Sequence, residues 1–207
     1  KVVLCGEGAD ELGFGYQNFK VAPDALAAQA ESERLLSNIH LYDGLRGDRT
    51  TAHFGLEVRL PFLDLHFVDA FHAIPATLRH SREVEKAGLR RLMATEVAAI
   101  VPTFAGSVIQ KIINRPKQAL SDSVGAGHIE NLRNLAGNNI PDAWLKDSEH
   151  AWPWCPPQTK EQCYYRTLYN QELVGHADAQ IPEYWSFRFV DPHPDPSATR
   201  QSFYKYG

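Results

Sequence analysis

The chain has 207 residues, 43% of them hydrophobic and 22% charged, with a formal net charge of −4. This length predicts one domain, or one domain with a smaller attachment, and it is long enough to bury an ordinary core. The mixed charges and the normal apolar fraction argue against intrinsic disorder, and the mildly acidic balance argues against nucleic acid or an anionic membrane as a partner.

The cysteines and the apolar runs indicate the compartment. Cys5, Cys155 and Cys163 are too few and too scattered for a disulfide framework, and no C-x-x-C pair predicts a zinc site. No apolar run approaches the ~20 residues that are needed to span a bilayer. We therefore expect a cytoplasmic chain in a reducing environment.

The first predicted element is an apolar strand at the start of the sequence. Lys1–Leu4 has the pattern of a buried strand, with no initiator methionine, signal peptide or polar leader before it. A natural domain rarely begins inside its own sheet, and one strand cannot form a sheet alone. We therefore expect the chain to be a fragment whose partner strands lie upstream.

Helices are predicted along most of the remaining chain, and Gly55–Asp64 should be extended because it contains a proline. Asp24 and Asp64 each precede an apolar helical pattern and should cap it, while Thr159 and Gln162 form a capping box. The predicted helices cover Ala25–Tyr42, Arg46–Ala52, the residues between Asp64 and Pro75, Arg82–Ile100, Val108–Ile113 and Thr159–Leu173.

Two segments have weaker patterns. Residues 103–127 are less regular, and the polar stretch that follows them, through Asn138 and Asn139, is rich in Asn and Gly. After Val190 the sequence holds three prolines within six residues, which predicts a surface strap or a disordered tail. The expected organisation is a main portion at residues 1–175 and a proline-containing tail at 176–207.

The loop after the first strand is the most informative segment. Gly6–Tyr16 is dense in glycine, and amides exposed at the end of a strand favour an anion or a nucleotide. The loop also carries the carboxylates of Glu7, Asp10 and Glu11, which repel phosphate unless a divalent cation lies between them. A magnesium–nucleotide or magnesium–pyrophosphate site is one interpretation. The other is that Asp10 and Glu11 only favour a helix N-terminus and the glycines only form a turn.

Four blocks of sequence, in a fixed order, resemble the glutamine-hydrolysing asparagine synthetase family. The Gly6–Tyr16 loop is similar to that family's second nucleotide-site motif. The other blocks are Leu41–Arg46, Gly55–Asp64 and Arg115–Asp122, and a weaker match is Asp195–Ala198. The resemblance implies an α/β fold. The chain would be the C-terminal, mainly helical half of an adenine-nucleotide α-hydrolase-like (ATP pyrophosphatase) domain, with one or few strands at the front.

The resemblance also implies roles for particular residues. Glu7 matches the glutamate that is associated with forming the acyl-adenylate and with its reaction with ammonia. Lys117 matches a lysine that stabilises charge near the reacting phosphate and carbonyl. Cys5 and Gly6 match positions whose backbone contacts the nucleotide, although the family commonly has serine where this chain has Cys5. Asp10 matches the carboxylate expected to hold magnesium–pyrophosphate.

The implied reaction is ATP-dependent asparagine synthesis. Arg46 matches a basic residue near the phosphates, and the resemblance implies ATP and Mg²⁺ as cofactors. ATP would activate the side-chain carboxylate of aspartate as β-aspartyl-AMP, and ammonia from glutamine would displace AMP. The glutaminase domain and the first phosphate-binding loop are not in this sequence. We therefore expect the isolated chain to be inactive and to need that N-terminal domain as a partner, with a homodimer also open.

Departures from the family pattern leave other functions open. The family usually has Lys-Glu and then Phe before Ser-Asp-Gly, whereas Lys117–Ser123 reads Lys-Gln-Ala-Leu-Ser-Asp-Ser. One alternative is a catalytically inactive relic that serves as a regulatory or binding module. Another is a related ligase that amidates other carboxylates or closes β-lactams.

Several other residues are interpreted as structural. Arg59 should pair with a carboxylate rather than bind a ligand. Glu85 and Lys86 should lie on a solvated helix surface, and Trp152 and Trp154 should serve packing or a partner contact. The nine histidines show no metal-binding spacing.

Overall fold

The computed structural model describes residues 1–100, 108–117, 126–173 and 181–190. The chain divides into two compact units. The first contains residues 1–117 and 187–190, and the second contains residues 118–186 and 191–207. The predicted boundary between residues 175 and 176 lies outside the described residues and stays a prediction, as does the strap or disordered tail after Val190.

The first unit contains a two-stranded parallel sheet. Strand β1 (Val2–Leu4) pairs with β2 (Glu57–Arg59), and Val3 lies opposite Val58. The extended conformation predicted for Gly55–Asp64 is confirmed at β2, whereas Pro61–Leu63 forms a 3₁₀ turn instead. The expectation that β1 would have no partner strand within the chain is wrong, because the intervening helices return the chain to its side. The expected burial of β1 is also wrong, since 53% of Val2 and 73% of Leu4 are exposed.

Three α-helices connect the two strands. The Asp24 carboxylate caps the second helix by accepting a hydrogen bond from the Ala27 N–H at 2.8 Å. That helix ends at Asn38 rather than at the predicted Tyr42, because the chain tightens into a 3₁₀ turn at Ile39–Leu41. The three helices are α1 (Ala9–Leu12), α2 (Ala25–Asn38) and α3 (Asp43–Ala52).

The core of the first unit lies where α1 packs against α2. Leu12 and Phe19 are 1% exposed and Leu35 is fully buried. The rings of Phe14 and Phe19 pack with their centroids 5.2 Å apart. Burying side chains of this size contributes about 1.5–3 kcal/mol each. The glycine-rich loop is therefore attached at its far end to a rigid core.

The second half of the first unit is helical. Asp64 caps α4 as predicted, accepting hydrogen bonds from the N–H groups of His66 and Phe67 at 3.0 and 3.1 Å. Helix α6 begins at Ala87 rather than at the predicted Arg82. The cause is Lys86, whose φ of 54° lies in the left-handed region and cannot continue a right-handed helix. The helices are α4 (Leu65–His72), α5 (Ala76–Arg79), α6 (Ala87–Ile100) and the predicted α7 (Val108–Ile113).

The second unit is built from helices in its described part. The polar stretch, for which no element was predicted, forms a helix, because Ile129, Leu132 and Ala136 repeat at helical spacing and Ala136 is fully buried. The capping box is confirmed in part: Thr159 accepts a hydrogen bond from the Gln162 N–H at 3.2 Å. The helices are α8 (Ala126–Asn139), α9 (Asp142–Lys146), α10 (Ser148–Ala151) and α11 (Lys160–Glu172).

Helix α8 packs against α11 in this unit, where Cys163 is fully buried. Across the described ranges, no helix combines the length and the apolar character that crossing a bilayer requires.

Candidate active site

The loop after β1 turns sharply into α1. The Cys5 N–H donates to the Arg59 carbonyl oxygen at 3.0 Å, which keeps the start of the loop attached to β2. Gly8 has a φ of 86°, and a Cβ at this position would lie 2.3 Å from Cδ2 of Leu63. Both features require glycine. The resulting turn presents the side chain of Glu7 immediately before the helix.

Glu7 and Arg46 are brought together, although they are far apart in the sequence. The Glu7 Oε1 lies 3.5 Å from Nη2 of Arg46, and the same nitrogen lies 2.7 Å from Oδ1 of Asp43. A Cβ at Gly47 would lie 2.9 Å from Oε2 of Glu7, so α3 approaches the carboxylate closely. The Glu7 side chain is 20% exposed. It is therefore accessible to a ligand while one turn of α3 fixes its position.

Asp10 lies between two lysines. Its Oδ2 is 2.6 Å from Nζ of Lys117, and its Oδ1 is 2.8 Å from Nζ of Lys86. Burial by itself raises the pKa of the Asp10 carboxyl, but the charges and hydrogen bonds of the two ammonium groups outweigh burial and hold the pKa below its usual range. This arrangement places two cations on one carboxylate at a half-buried position.

Lys117 also lies near a buried hydrogen bond that the sequence did not single out. Its ammonium group is 5.6 Å from the centre of the Tyr16 ring, and the Tyr16 hydroxyl donates to Glu11 at 2.5 Å. Glu11 is 2% exposed, and its burial raises the pKa of its carboxyl. The Ser32 hydroxyl donates to the Glu11 carbonyl oxygen at 2.7 Å. The sequence analysis interpreted Glu11 as one of three loop carboxylates or as a residue that favours a helix N-terminus. A helix of four residues is too short for its sequence pattern to show which face is buried.

Glu85 and Lys86 do not lie on a solvated helix surface, so that interpretation is wrong. Glu85 is 7% exposed and its carboxylate lies 2.8 Å from Nζ of Lys20, while Lys86 reaches Asp10. The helical pattern was extended too far toward the N-terminus, and this placed both residues on an outward face. Gly13 and Gly15 were a sequence signal for this contact, because closely spaced glycines indicate that another segment of the chain approaches the backbone.

For the remaining predicted site residues, Gly6 and Cys5, the structure gives their accessibility. Gly6 is exposed, and an added Cβ there would meet open space, so its backbone is accessible to a ligand. Cys5 is half-buried at the end of β1. The nucleotide contacts expected of both stay predictions. Arg59 pairs with Glu57 at 2.8 Å, which confirms its structural interpretation.

The aromatic pair of the second unit has packing contacts. The Trp152 ring lies 5.9 Å from the Arg166 guanidinium, and the Trp154 indole N–H donates to the Ile181 carbonyl oxygen at 2.7 Å. Trp154 is nevertheless 44% exposed. The packing interpretation is confirmed, and a partner contact stays a prediction.

The described residues contain no group of three or more His, Cys, Asp or Glu side chains that could hold a metal ion. Asp10 would have to act with phosphate oxygens and water, which is how Mg²⁺ is commonly held in nucleotide sites. Both Asp10 oxygens lie beside ammonium groups. Asp10 can therefore bind Mg²⁺ only after one of the two lysines has moved away, and its role as a metal ligand stays a prediction.

A model of the asparagine synthase family matches residues 20–189 of this sequence. The chain belongs to the asparagine synthase family. It is similar to the glutamine-hydrolysing asparagine synthetases of Gallus gallus, with 38% identity over 208 residues, and of Homo sapiens, with 36% identity over 209 residues. Each match covers 99% of this chain and 35% of the relative.

The coverage of these matches bears on the site. The chain spans about 35% of the length of the curated relatives that it matches. The matched range of the family model begins at residue 20, after the loop with Glu7 and Asp10, whereas the pairwise matches cover nearly the whole chain. Membership of the asparagine synthase family therefore rests on the family model, and the loop lies only within the pairwise matches.

Proposed function

We propose that this chain forms the C-terminal part of a synthetase site that converts aspartate into asparagine with ATP. The observation that carries the proposal is the convergence on the Glu7–Asp10 loop. Arg46 reaches Glu7, and Lys117 reaches Asp10 from a position 107 residues away in the sequence. A carboxylate, a guanidinium and an ammonium group beside an accessible glycine backbone suit a substrate with phosphate and carboxylate groups.

The proposed reaction has two steps. A side-chain carboxylate oxygen of aspartate bonds to the α-phosphorus of ATP, and the bond to the β-phosphate oxygen breaks to release pyrophosphate. Ammonia then bonds to the activated carbonyl carbon, AMP leaves with the former aspartate oxygen, and the nitrogen loses one proton. Lys117 is suited to stabilise negative charge that develops on phosphate and carbonyl oxygens, and Glu7 is suited to accept the proton.

Magnesium would be held at Asp10 when the nucleotide binds. The ion supplies charge neutralisation of the phosphates, and the residues present fit it only with the rearrangement described above. Arg46 is suited to bind a phosphate oxygen, although Asp43 holds its guanidinium at 2.7 Å in this structure. Cys5 and Gly6 are suited to offer backbone contacts to the nucleotide.

The nitrogen source is part of the proposal. The matched relatives are named as glutamine-hydrolysing enzymes, and this chain spans 35% of their length. We therefore propose glutamine-derived ammonia, supplied by a glutaminase domain outside this sequence, as the natural donor. Free ammonia should replace it in an assay.

The test follows an oxygen atom in the natural full-length protein. Aspartate labelled with ¹⁸O in its side-chain carboxylate is incubated with ATP, Mg²⁺ and ammonium, and asparagine, AMP and pyrophosphate are measured. We expect equal amounts of the three products and one ¹⁸O atom in the AMP phosphate. Label in inorganic phosphate would contradict adenylation, and product from another carboxylic acid but not from aspartate would indicate a different amide-forming ligase. Binding of ATP and aspartate without any turnover would support the inactive regulatory module.

A further inference from the structure

We propose that Arg90 is a positioning residue of this site, which holds the chain segment that carries Lys117 so that the lysine stays at Asp10. Arg90 lies in the first turn of α6, and its guanidinium group contacts backbone carbonyl oxygens. The part that Lys117 plays in the reaction rests on the proposed function. The role of Arg90 itself comes from the contacts of its guanidinium group.

The Arg90 side chain connects the start of α6 with the end of α7. Its Nε donates to the Glu85 carbonyl oxygen at 2.7 Å, just before α6 begins. Its Nη2 donates to the Arg115 carbonyl oxygen at 2.8 Å, and its Nη1 donates to the carbonyl oxygen of Ile113, the last residue of α7. The side chain is 14% exposed, so these charge-assisted hydrogen bonds form where water competes little. One guanidinium group therefore fixes the two segments relative to each other.

The chain between the held carbonyl group of Arg115 and Lys117 is short and stiff. That carbonyl belongs to the planar peptide group that ends at the nitrogen of Pro116, and the proline ring fixes the next φ. Between the carbonyl and the nitrogen of Lys117, only ψ of Pro116 can still rotate. Arg115 and Pro116 are both exposed, so burial in a core does not fix this segment. Holding the Arg115 carbonyl oxygen therefore restricts where the lysine can point.

The start of α6, from which Arg90 extends, is itself attached to the 3₁₀ turn that precedes α2. The Glu85 carboxylate accepts a hydrogen bond from the Gln17 amide at 2.5 Å and lies 2.8 Å from Nζ of Lys20. The other oxygen of the same carboxylate lies 3.8 Å from Nη2 of Arg90. Glu85 is buried, so this connection is protected from solvent. Arg90 can therefore transmit the fixed position of this part of the unit to the segment before Lys117.

The competing explanation is that Arg90 only stabilises the end of α7, because the last turn of a helix leaves carbonyl groups without partners in the helix. Arg91 offers a control for that role. It lies on the same helix, and its guanidinium also donates to backbone carbonyl oxygens, those of Leu78 and Ala87. Loss of either arginine removes charged hydrogen bonds to the backbone. Of the two, Arg90 is the one whose bonds reach the segment before Lys117.

The experiment measures ammonia-dependent asparagine formation and the melting temperature of the natural full-length protein. We expect Arg90→Met to lower kcat about ten- to hundredfold with little change in the KM for aspartate, because a charge-stabilising group is misplaced. In a protein that already carries Lys117→Met, Arg90→Met should lower the melting temperature again but leave kcat unchanged, because Arg90 acts through the lysine. Arg91→Met should keep kcat near the wild-type value. Losses of kcat that multiply in the double variant, or a wild-type kcat in Arg90→Met, would overturn the proposal.

A second variant keeps the proposal testable if Arg90→Met does not fold. Arg90→Lys keeps the charge, but one ammonium group cannot replace the planar fork that reaches both segments. Reductive dimethylation without any substrate is followed by mass spectrometry, and Lys117 should be labelled faster in Arg90→Lys than in the wild type. Lys160, which pairs with Asp142 in the second unit, should be labelled at an unchanged rate.

The labelling result separates this inference from the proposed function. An unchanged labelling rate of Lys117 in Arg90→Lys would refute the positioning role of Arg90. Since labelling uses no substrate, faster labelling of Lys117 in a protein that makes no asparagine would contradict the proposed function and support this inference.

Discussion

Two glutamates illustrate how the surroundings decide the role of a residue. Glu7 and Glu57 are each close to an arginine, at 3.5 Å and 2.8 Å. Glu57 is 60% exposed on a strand, whereas Glu7 is 20% exposed and held against α3. A pair as exposed as Glu57–Arg59 contributes little to stability. The less exposed carboxylate, Glu7, is the one that we propose acts on a bound substrate.

We expect Glu7→Gln to lower asparagine formation by the natural full-length protein by about 10²–10³-fold, because one positioned electrostatic group is lost. Its melting temperature should change little, since the amide keeps the shape of the side chain. Glu57→Gln is the control and should leave both quantities near the wild-type values. Near-normal synthesis by Glu7→Gln would show that Glu7 only favours the start of α1.

The pH dependence of stability can be predicted at Glu85. Burial alone raises the pKa of its carboxyl, but the hydrogen bonds and charge contributed by Lys20 and Gln17 outweigh burial, so the pKa lies below the ordinary value of 4.5. A depressed native pKa adds stability above the unfolded pKa, and that stability is lost as the pH falls through the native pKa.

We therefore expect Glu85→Gln to reduce the free energy of unfolding at neutral pH by about 1–3 kcal/mol, as for a buried charged hydrogen-bond partner. The difference from wild type should shrink below about pH 4.5, where the carboxyl begins to protonate in the unfolded chain. Urea unfolding at several pH values measures it, with the exposed Glu83→Gln as the control. A difference that is constant with pH would contradict the assigned ionisation.

At the scale of elements, α2 holds a short segment from near the C-terminus against the first unit. The fully buried Glu31 accepts hydrogen bonds from Nε and Nη2 of Arg34 at 2.7 and 2.8 Å, and from the Arg188 N–H at 3.0 Å. Next to it, the Phe187 ring packs 4.8 Å from that of Tyr16. Glu31 therefore holds the segment Phe187–Val190 on α2. In that position Phe187 packs against the ring of Tyr16, which lies beside Lys117.

We expect Glu31→Ala to lower the free energy of unfolding by about 1–3 kcal/mol, because the Arg188 N–H and the Arg34 guanidinium lose their acceptor. Hydrogen exchange at the Arg188 amide should accelerate in the same variant. Glu33→Ala, an exposed position on the same helix, is the control and should change neither. Unchanged exchange at Arg188 in Glu31→Ala would show that the segment is held by other contacts.

At the scale of the whole molecule, the two-stranded sheet exposes apolar side chains. Leu4 on β1 is 73% exposed, about as much as Leu26 on α2 at 74%. A strand can pair with another chain through its free backbone groups, whereas a helix satisfies its own. Exposure of Leu4 therefore allows association through strand pairing, whereas exposure of Leu26 does not.

We expect the 207-residue chain to associate as its concentration rises, and Leu4→Lys to suppress this association strongly. The matched substitution Leu26→Lys should have a smaller effect, because α2 offers no pairing edge. Sedimentation velocity over a range of concentrations measures both. Equal effects of the two substitutions would indicate general apolar attraction rather than strand pairing.

Features that depend only on neighbouring residues could be predicted from the sequence. Asp24 and Asp64 cap their helices as predicted, because a cap needs only the next few N–H groups. The ordered blocks of sequence also predicted the family, and with it the loop that contains Glu7 and Asp10. These signals lie within short segments, so they can be recognised without knowledge of how the chain packs.

Features that depend on contacts between distant segments could not be predicted and required the three-dimensional fold. The pairing of β1 with β2, the burial of Glu85 and the approach of Lys86 to Asp10 join residues that are tens of positions apart. Helical periodicity predicted that Lys86 faces solvent on a helix. A periodic pattern does not reveal that Lys86 itself has a left-handed backbone conformation and lies just before α6. Whether a charged residue is solvated surface or part of a site is set by the segments that pack around it, and a single sequence does not specify that packing.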